Sequence, residues 1–158
     1  MSLESVKSFL AAHAPDLAVI ELPSSTATVA LAAAAHGVEP GRIAKTLSLR
    51  VGAEVVLLVT RGDARLDNQK FKAHFQAKPT LLDATEVEPE TGHPIGGVSP
   101  LGLLRPLKIY CDLSLRDFDE VLPAGGATHA AVRIDPERLA RLTGATWVDV
   151  TRSAASPA

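Results

Sequence analysis

The sequence predicts an α+β domain around a mixed, largely antiparallel sheet, and three features carry that expectation. Two strand patterns, Ile43 to Val51 and Glu54 to Thr60, are joined by a connection short enough for a hairpin. Helix and strand patterns elsewhere are intermixed, without the strict βαβ rhythm of a parallel sheet. The 158 residues, 46% hydrophobic and 22% charged, suffice for one domain with a real core. The sheet is expected to curl into a barrel-like form with helices around it. One domain over residues 1–152 and a flexible tail over 153–158 complete the expectation.

Each element has a local reason. Leu3, Val6, Phe9 and Leu10 recur at helical spacing, with Ser2 placed to cap, and Pro15-Asp16 ends the helix. Leu17 to Leu22 reads as a short strand stopped by Pro23. Ser24, Ser25, Thr26 and Thr28 lead into an alanine-rich helix that Gly37 terminates. After the hairpin, Asp67 caps a helix running to Phe75, and Leu81 to Val87 supplies another turn or two of helix. Leu107 to Cys111 is a strand, Ser114 to Phe118 a brief turn or helix, and Glu120 to Leu122 a short strand. A second glycine turn, Pro123 to Gly126, precedes a strand from His129 to Ile134. Asp135-Pro136 opens a helix to Leu142, and Thr146 to Val150 closes the sheet.

Composition narrows the function classes. The N-terminus lacks the basic and apolar regions of a secretory signal, and the run Ala30 to Ala35 is far too short to span a membrane. A lone cysteine, Cys111, rules out an internal disulfide framework and fits a reducing cytoplasm. No heptad pattern stands out, so a monomer is the default. The net charge of −2 hides an asymmetry. From Arg42 to Lys78 eight bases face three acids, whereas Asp83, Glu86, Glu88 and Glu90 follow with no base between them. Such a run is either a solvated face or a local basic surface for a short polyanion, such as one end of a nucleic acid.

Several familiar chemistries fail on spacing. Ala44 stands before Lys45-Thr46 where a phosphate-binding loop needs glycine. Leu101 replaces the second glycine of a hydrolase elbow at Gly97-Val-Ser99-Pro, and Pro100 lacks the required N–H. Five scattered histidines and one cysteine make no metal motif, and Cys111 reads as a buried, inert thiol. An enzyme built this way works by positioning and electrostatics, without a nucleophile–base pair.

Two features remain. The stretch Thr91-Gly-His-Pro-Ile-Gly-Gly-Val-Ser-Pro-Leu-Gly102 holds four glycines and two prolines yet is largely apolar. It is either a tight buried crossover or a place where bare backbone approaches a ligand. Lys45 shares a strand face with Ile43 and Leu47. An inward lysine needs an anionic partner or ligand, unless it snorkels from an edge to water.

Gly41-Arg-Ile-Ala-Lys45-Thr-Leu47, the glycine-rich stretch and Pro123-Ala-Gly-Gly126 together resemble the YbaK family. These are aminoacyl-tRNA deacylases related to the editing insertion of bacterial prolyl-tRNA synthetase. The resemblance runs from about Leu3 to Val150. It implies a freestanding trans-editing hydrolase that cleaves the ester of a mischarged tRNA, foremost the proline tRNA, at its acceptor end. Prolyl-tRNA synthetase is a further partner it allows, and neither cofactor nor metal is implied. By the same resemblance Lys45 positions the terminal nucleotide or the ester, and Gly96 and Gly97 bring backbone to the aminoacyl group. Thr46 and Ser99 add polar contacts, and Thr26, Thr28 and His129 are candidates for the lining. Ala124-Gly-Gly126 stands where the cysteine-specific branch shows Ser-Gly-Gly. That departure leaves alanyl, 2-aminobutyryl, seryl and threonyl esters beside cysteinyl, with a small aliphatic side chain preferred. The residues leave a second reading open: a non-catalytic module that holds a tRNA end or a synthetase.

Overall fold

The computed structural model describes residues 2–153. Its main sheet has six strands, and β2 (Ile43–Val51) and β3 (Glu54–Arg61) form the expected hairpin, in register from Ala44 opposite Arg61 to Val51 opposite Glu54. Beyond β3 the order continues through β6 (Lys108–Asp112) and β9 (Thr146–Val148), both added in parallel. The β3 run Val55 to Val59 is apolar throughout because both faces are covered. Leu57 and Val59 pack with Val6 and Leu10 of α1 (Ser2–His13) and Leu139 of α5 (Pro136–Thr143), whereas Val56 and Leu58 pack with Phe71 of α3 (Asn68–Phe75). A central strand buried on both sides has no reason to alternate.

Two very short strands share the other edge of β2. β7 (Leu122–Pro123) runs parallel to Ile43 and Ala44, and β5 (Thr80–Leu81) runs antiparallel to Leu49 and Arg50. Two smaller pairs flank the sheet: β1 (Val19–Glu21) with β8 (Ala130–Val132), and β4 (Ala64–Leu66) with β10 (Thr151–Ser153). Among the described residues four ladders are antiparallel and three parallel. The curl stops short of a barrel, since β5 and β9 end the sheet unpaired with one another.

The helices start and stop where their caps place them. Thr28 accepts from Leu31 N–H at the head of α2 (Val29–His36), and Gly37 closes it in the left-handed region. Asp67 and Asp135 cap α3 and α5 in the same way. Ser2 is itself helical, and its hydroxyl donates to the Gly126 carbonyl. Helix α4 (Ala84–Thr91) begins three residues later than the expected turn and runs on into the glycine-rich stretch. Ser153, expected as the start of a tail, pairs with Ala64, and residues 154–158 lie outside the described residues. No helix among the described residues is long and apolar enough to cross a membrane.

The expected final strand is split at Asp149-Val150, and Asp112 holds the split in place. Its buried carboxylate accepts from Val150 N–H (2.8 Å), the Thr151 hydroxyl (2.6 Å) and Ser114 N–H (3.0 Å). Asp112→Ala strands the buried Val150 and Thr151 donors, so it is expected to cost about 3 kcal/mol in chemical denaturation. A loss under about 1 kcal/mol would contradict this role.

Candidate active site

Among the described residues, β2 has no partner on that edge from Lys45 to Leu47, between its pairing with β7 and the Ser48 carbonyl that accepts from Leu82 N–H next to β5. A cavity of about 300 Å³ lies along this gap. All six residues from Ile43 to Ser48 line it, although successive side chains point to opposite faces of a strand. Only an edge without a neighbour gives one cavity access to both faces. The head of α2, the glycine-rich loop, Leu81-Leu82 and Ala130-Ala131 supply the remaining walls.

Among the described residues Lys45 is the sole charged one in the lining. It is half-buried, and its ammonium donates to the Ala64 carbonyl at 2.6 Å, with no carboxylate at salt-bridge distance among the described residues. Burial pushes its pKa below the ordinary lysine value; Asp63 offsets part of this and Arg65 adds to it. An ammonium carries three donors, so the Ala64 bond leaves two for a ligand. Thr46 also lines the cavity, and its Oγ1 is buried without a hydrogen-bond partner among the described residues.

The glycine-rich loop combines both of its expected characters. Thr91, His93, Gly97, Ser99 and Leu101 are buried, whereas Ile95, Gly96 and Val98 reach the cavity. Gly97 N–H donates to the Pro94 carbonyl (2.9 Å) across a turn whose third residue, Gly96, has φ +83°. A Cβ on Gly96 would stand 2.8 Å from the Ala27 Cβ, and one on Gly97 2.7 Å from the Ala127 backbone. The two glycines thus let this bend press against Ala27 in the cavity lining and against Ala127 behind it.

The predicted site residues therefore separate into two groups. Lys45, Thr46, Thr26, Thr28 and Gly96 come together around the cavity. Thr26 is tied to the Thr128 carbonyl through its hydroxyl (3.2 Å), and Thr28 is occupied as the α2 cap. Gly97 lies behind the lining; Ser99 is fully buried and accepts from Leu101 N–H (3.1 Å), which makes it a brace of the loop. His129 stands just before β8 and points away, to Glu21 (3.3 Å), whereas Ala130 and Ala131 line the cavity. Alanines supply much of the wall (Ala32, Ala44, Ala124, Ala130 and Ala131), and their small size, the signal sequence reasoning passed over, leaves the space. Cys111 is buried and its thiol pushed up to about 12 by burial, far from a reactive state.

Half of the basic segment is neutralised locally. Arg42 pairs with Asp119 (3.0 Å), Arg50 with Glu86, Arg61 with Asp63 (2.6 Å) and Asp117 (2.8 Å), and Lys70 with Asp149 (3.1 Å). Arg65, Lys72 and Lys78 are exposed and make no ion pair among the described residues. The solvated-face reading thus accounts for four of the eight bases.

Comparison with known proteins adds a family. Residues 23–142 match the aminoacyl-tRNA editing domain. The uncharacterized protein YwhH of Bacillus subtilis is 40% identical over 154 residues, 96% of this chain and 98% of that one. EbsC of Enterococcus faecalis, a candidate Cys-tRNA(Pro)/Cys-tRNA(Cys) deacylase, is 30% identical over 73% of this chain and 71% of its own. The crystal structure of a candidate trans-editing enzyme for prolyl tRNA synthetase superposes with a TM-score of 0.88 at 36% identity, covering 96% of this chain and 98% of that one.

His93 fastens the loop that carries Gly96. Its Nε2 lies 2.9 Å from the Leu101 carbonyl, Nδ1 has no partner among the described residues, and burial lowers its pKa from 6.5. A histidine kept neutral in the fold takes up a proton on unfolding once pH falls below about 6.5, so stability declines there by up to about 1.4 kcal/mol per pH unit. His36 is lowered as well, by burial and Arg133. His93→Gln is expected to flatten, without abolishing, the fall in stability between pH 7 and 5.5 measured by urea titration. An unchanged slope would contradict the assignment.

Proposed function

The chain belongs to the aminoacyl-tRNA editing domain family, and we propose that it is a freestanding deacylase clearing small, wrong amino acids from the proline tRNA. It is a hydrolase of carboxylic esters. The observation that carries this reading is a half-buried lysine, unpaired with any carboxylate, in an alanine-walled cavity beside bare strand edge. The acceptor end enters as a single-stranded tip, the form that suits a cavity of this size, while the rest of the tRNA stays outside. Arg65, Lys72 and Lys78 remain for its phosphates. The protein works in the cytoplasm as a monomer, with prolyl-tRNA synthetase as the source of its mischarged substrate.

The chemistry follows from what the lining contains. Among the described residues it offers no carboxylate, imidazole or thiol to act as general base or to activate one of its hydroxyls. Water adds to the ester carbonyl, the C–O bond to the ribose breaks, and the ribose oxygen leaves with a proton. The neighbouring ribose hydroxyl orients that water, so the substrate supplies the polar group that the protein lacks. Lys45 holds the ester end by charge, and Gly96 brings backbone close without a side chain in the way. The aminoacyl side chain lies against apolar walls of alanine and valine. Such walls favour alanyl and 2-aminobutyryl esters and exclude the ring of proline by shape. An added methylene is worth roughly 10- to 200-fold in such a pocket, whereas an added hydroxyl is rejected only weakly.

The test is a deacylation panel on one proline tRNA charged in turn with alanine, 2-aminobutyrate, cysteine, serine, threonine and proline. Release of a small amino acid with proline retained is expected. Lys45→Met is expected to lower that release at least a hundredfold while keeping folding stability within about 1 kcal/mol, since it removes a desolvated charge along with one hydrogen bond. No release from any small ester, or a fully active Lys45→Met, would overturn the reading.

A further inference from the structure

An aminoacyl ester has an α-amine, and buried N–H groups need acceptors. No carboxylate lines the cavity among the described residues, so the acceptors there are hydroxyls or backbone carbonyls. Thr26 Oγ1 already donates to the Thr128 carbonyl, and Thr28 Oγ1 accepts from Leu31 N–H. Thr46 Oγ1 is buried and has no partner among the described residues. The backbone of the same residue likewise has no strand partner on this edge among the described residues. In an antiparallel ladder the N–H and C=O of one residue point to the same side. The Ser48 carbonyl accepts from Leu82 N–H (3.0 Å) on the β5 side, so Thr46, two residues earlier, turns its N–H and C=O to that edge. There β5 has ended, and the pairing with β7 stops at Ala44.

We propose that Thr46 is the amine-recognition residue: its Oγ1 and main-chain carbonyl accept hydrogen bonds from the α-amine of the bound ester. This rests on the deacylase reading and adds a specificity rule to it. Esters with the amine are preferred over isosteric esters without it, because only the former satisfy the buried oxygens of Thr46. Lys45, on the opposite strand face, is kept apart from that cationic amine. Its ammonium is drawn instead toward the Ala64 carbonyl and Asp63.

The experiment compares proline tRNA carrying alanine or 2-aminobutyrate, whichever is released faster, with the same tRNA carrying propionate or butyrate. Wild type, Thr46→Val and Thr46→Ser are measured on both esters as kcat/KM. Thr46→Val is expected to lose ten- to a hundredfold on the aminoacyl ester and less than threefold on the deamino ester, with Thr46→Ser recovering most of the loss. Comparing variants on each ester cancels the intrinsic difference in ester lability. Equal losses on both esters would overturn the proposal and leave the deacylase reading standing, since Thr46 would then be structural. A wild type that releases neither acyl group overturns both. Thermal melts of the variants report folding independently, and Thr46→Ser keeps the comparison decisive if the valine variant is unstable.

Discussion

The unpaired stretch of β2 is the constraint on which the site depends. Strand edges are normally paired, covered or charged, because bare N–H and C=O groups are costly when buried and adhesive when exposed. Here β7 and β5 each pair with only two residues of the edge, at opposite ends, Leu82 N–H adds a bond to the Ser48 carbonyl, and Lys45 to Leu47 are left between them. The bend at Gly96 and the head of α2 roof the gap without pairing with it. The result is a small apolar chamber with a polar seam along one wall. A ligand with an apolar tip and several hydrogen-bonding groups next to it satisfies both parts at once, and an aminoacyl ester is such a ligand.

Rigidity around the gap comes from elements that do not touch the ligand. Asp112 ties β6 to the bend between β9 and β10, and β3, buried on both faces, carries β2 through an eight-residue ladder. The loop bearing Gly96 is closed by His93 on the Leu101 carbonyl and by Ser99 on Leu101 N–H. Ion pairs such as Arg138 with Asp16 and Arg116 with Glu137 are largely solvent-facing and add little individually. The one lysine left without such a pair in the cavity is the one assigned to the substrate.

Much of this was legible in the sequence, and the reasons differ by element. The hairpin, the caps at Thr28, Asp67 and Asp135, and the stop at Gly37 are local signals, fixed within a few residues. Lys45 stood out because strand alternation put a cation on an apolar face. The two-residue strands β5 and β7 carry no periodicity to detect, so the gap they frame was invisible, and with it the status of Thr46. His129 lies outside the lining because it stands before β8 and meets Glu21, a long-range contact that no local pattern marks. Ser99 looked like a ligand contact, yet a serine before proline in a buried loop also serves its own backbone. The glycines marked a close approach, but which chains approach each other is a long-range fact that needs Ala27 and Ala127.

The most direct test of the account is where an uncleavable ester mimic binds. Backbone amide shifts are followed by NMR on titration with aminoacyl-adenosine in which an amide replaces the ester. The account predicts that the largest shifts fall on Thr46, Ser48 and Gly96, along the unpaired edge. Shifts that leave Thr46 unmoved and gather instead at the separate polar cavity of Asp63, Lys70 and Asp149 would contradict it.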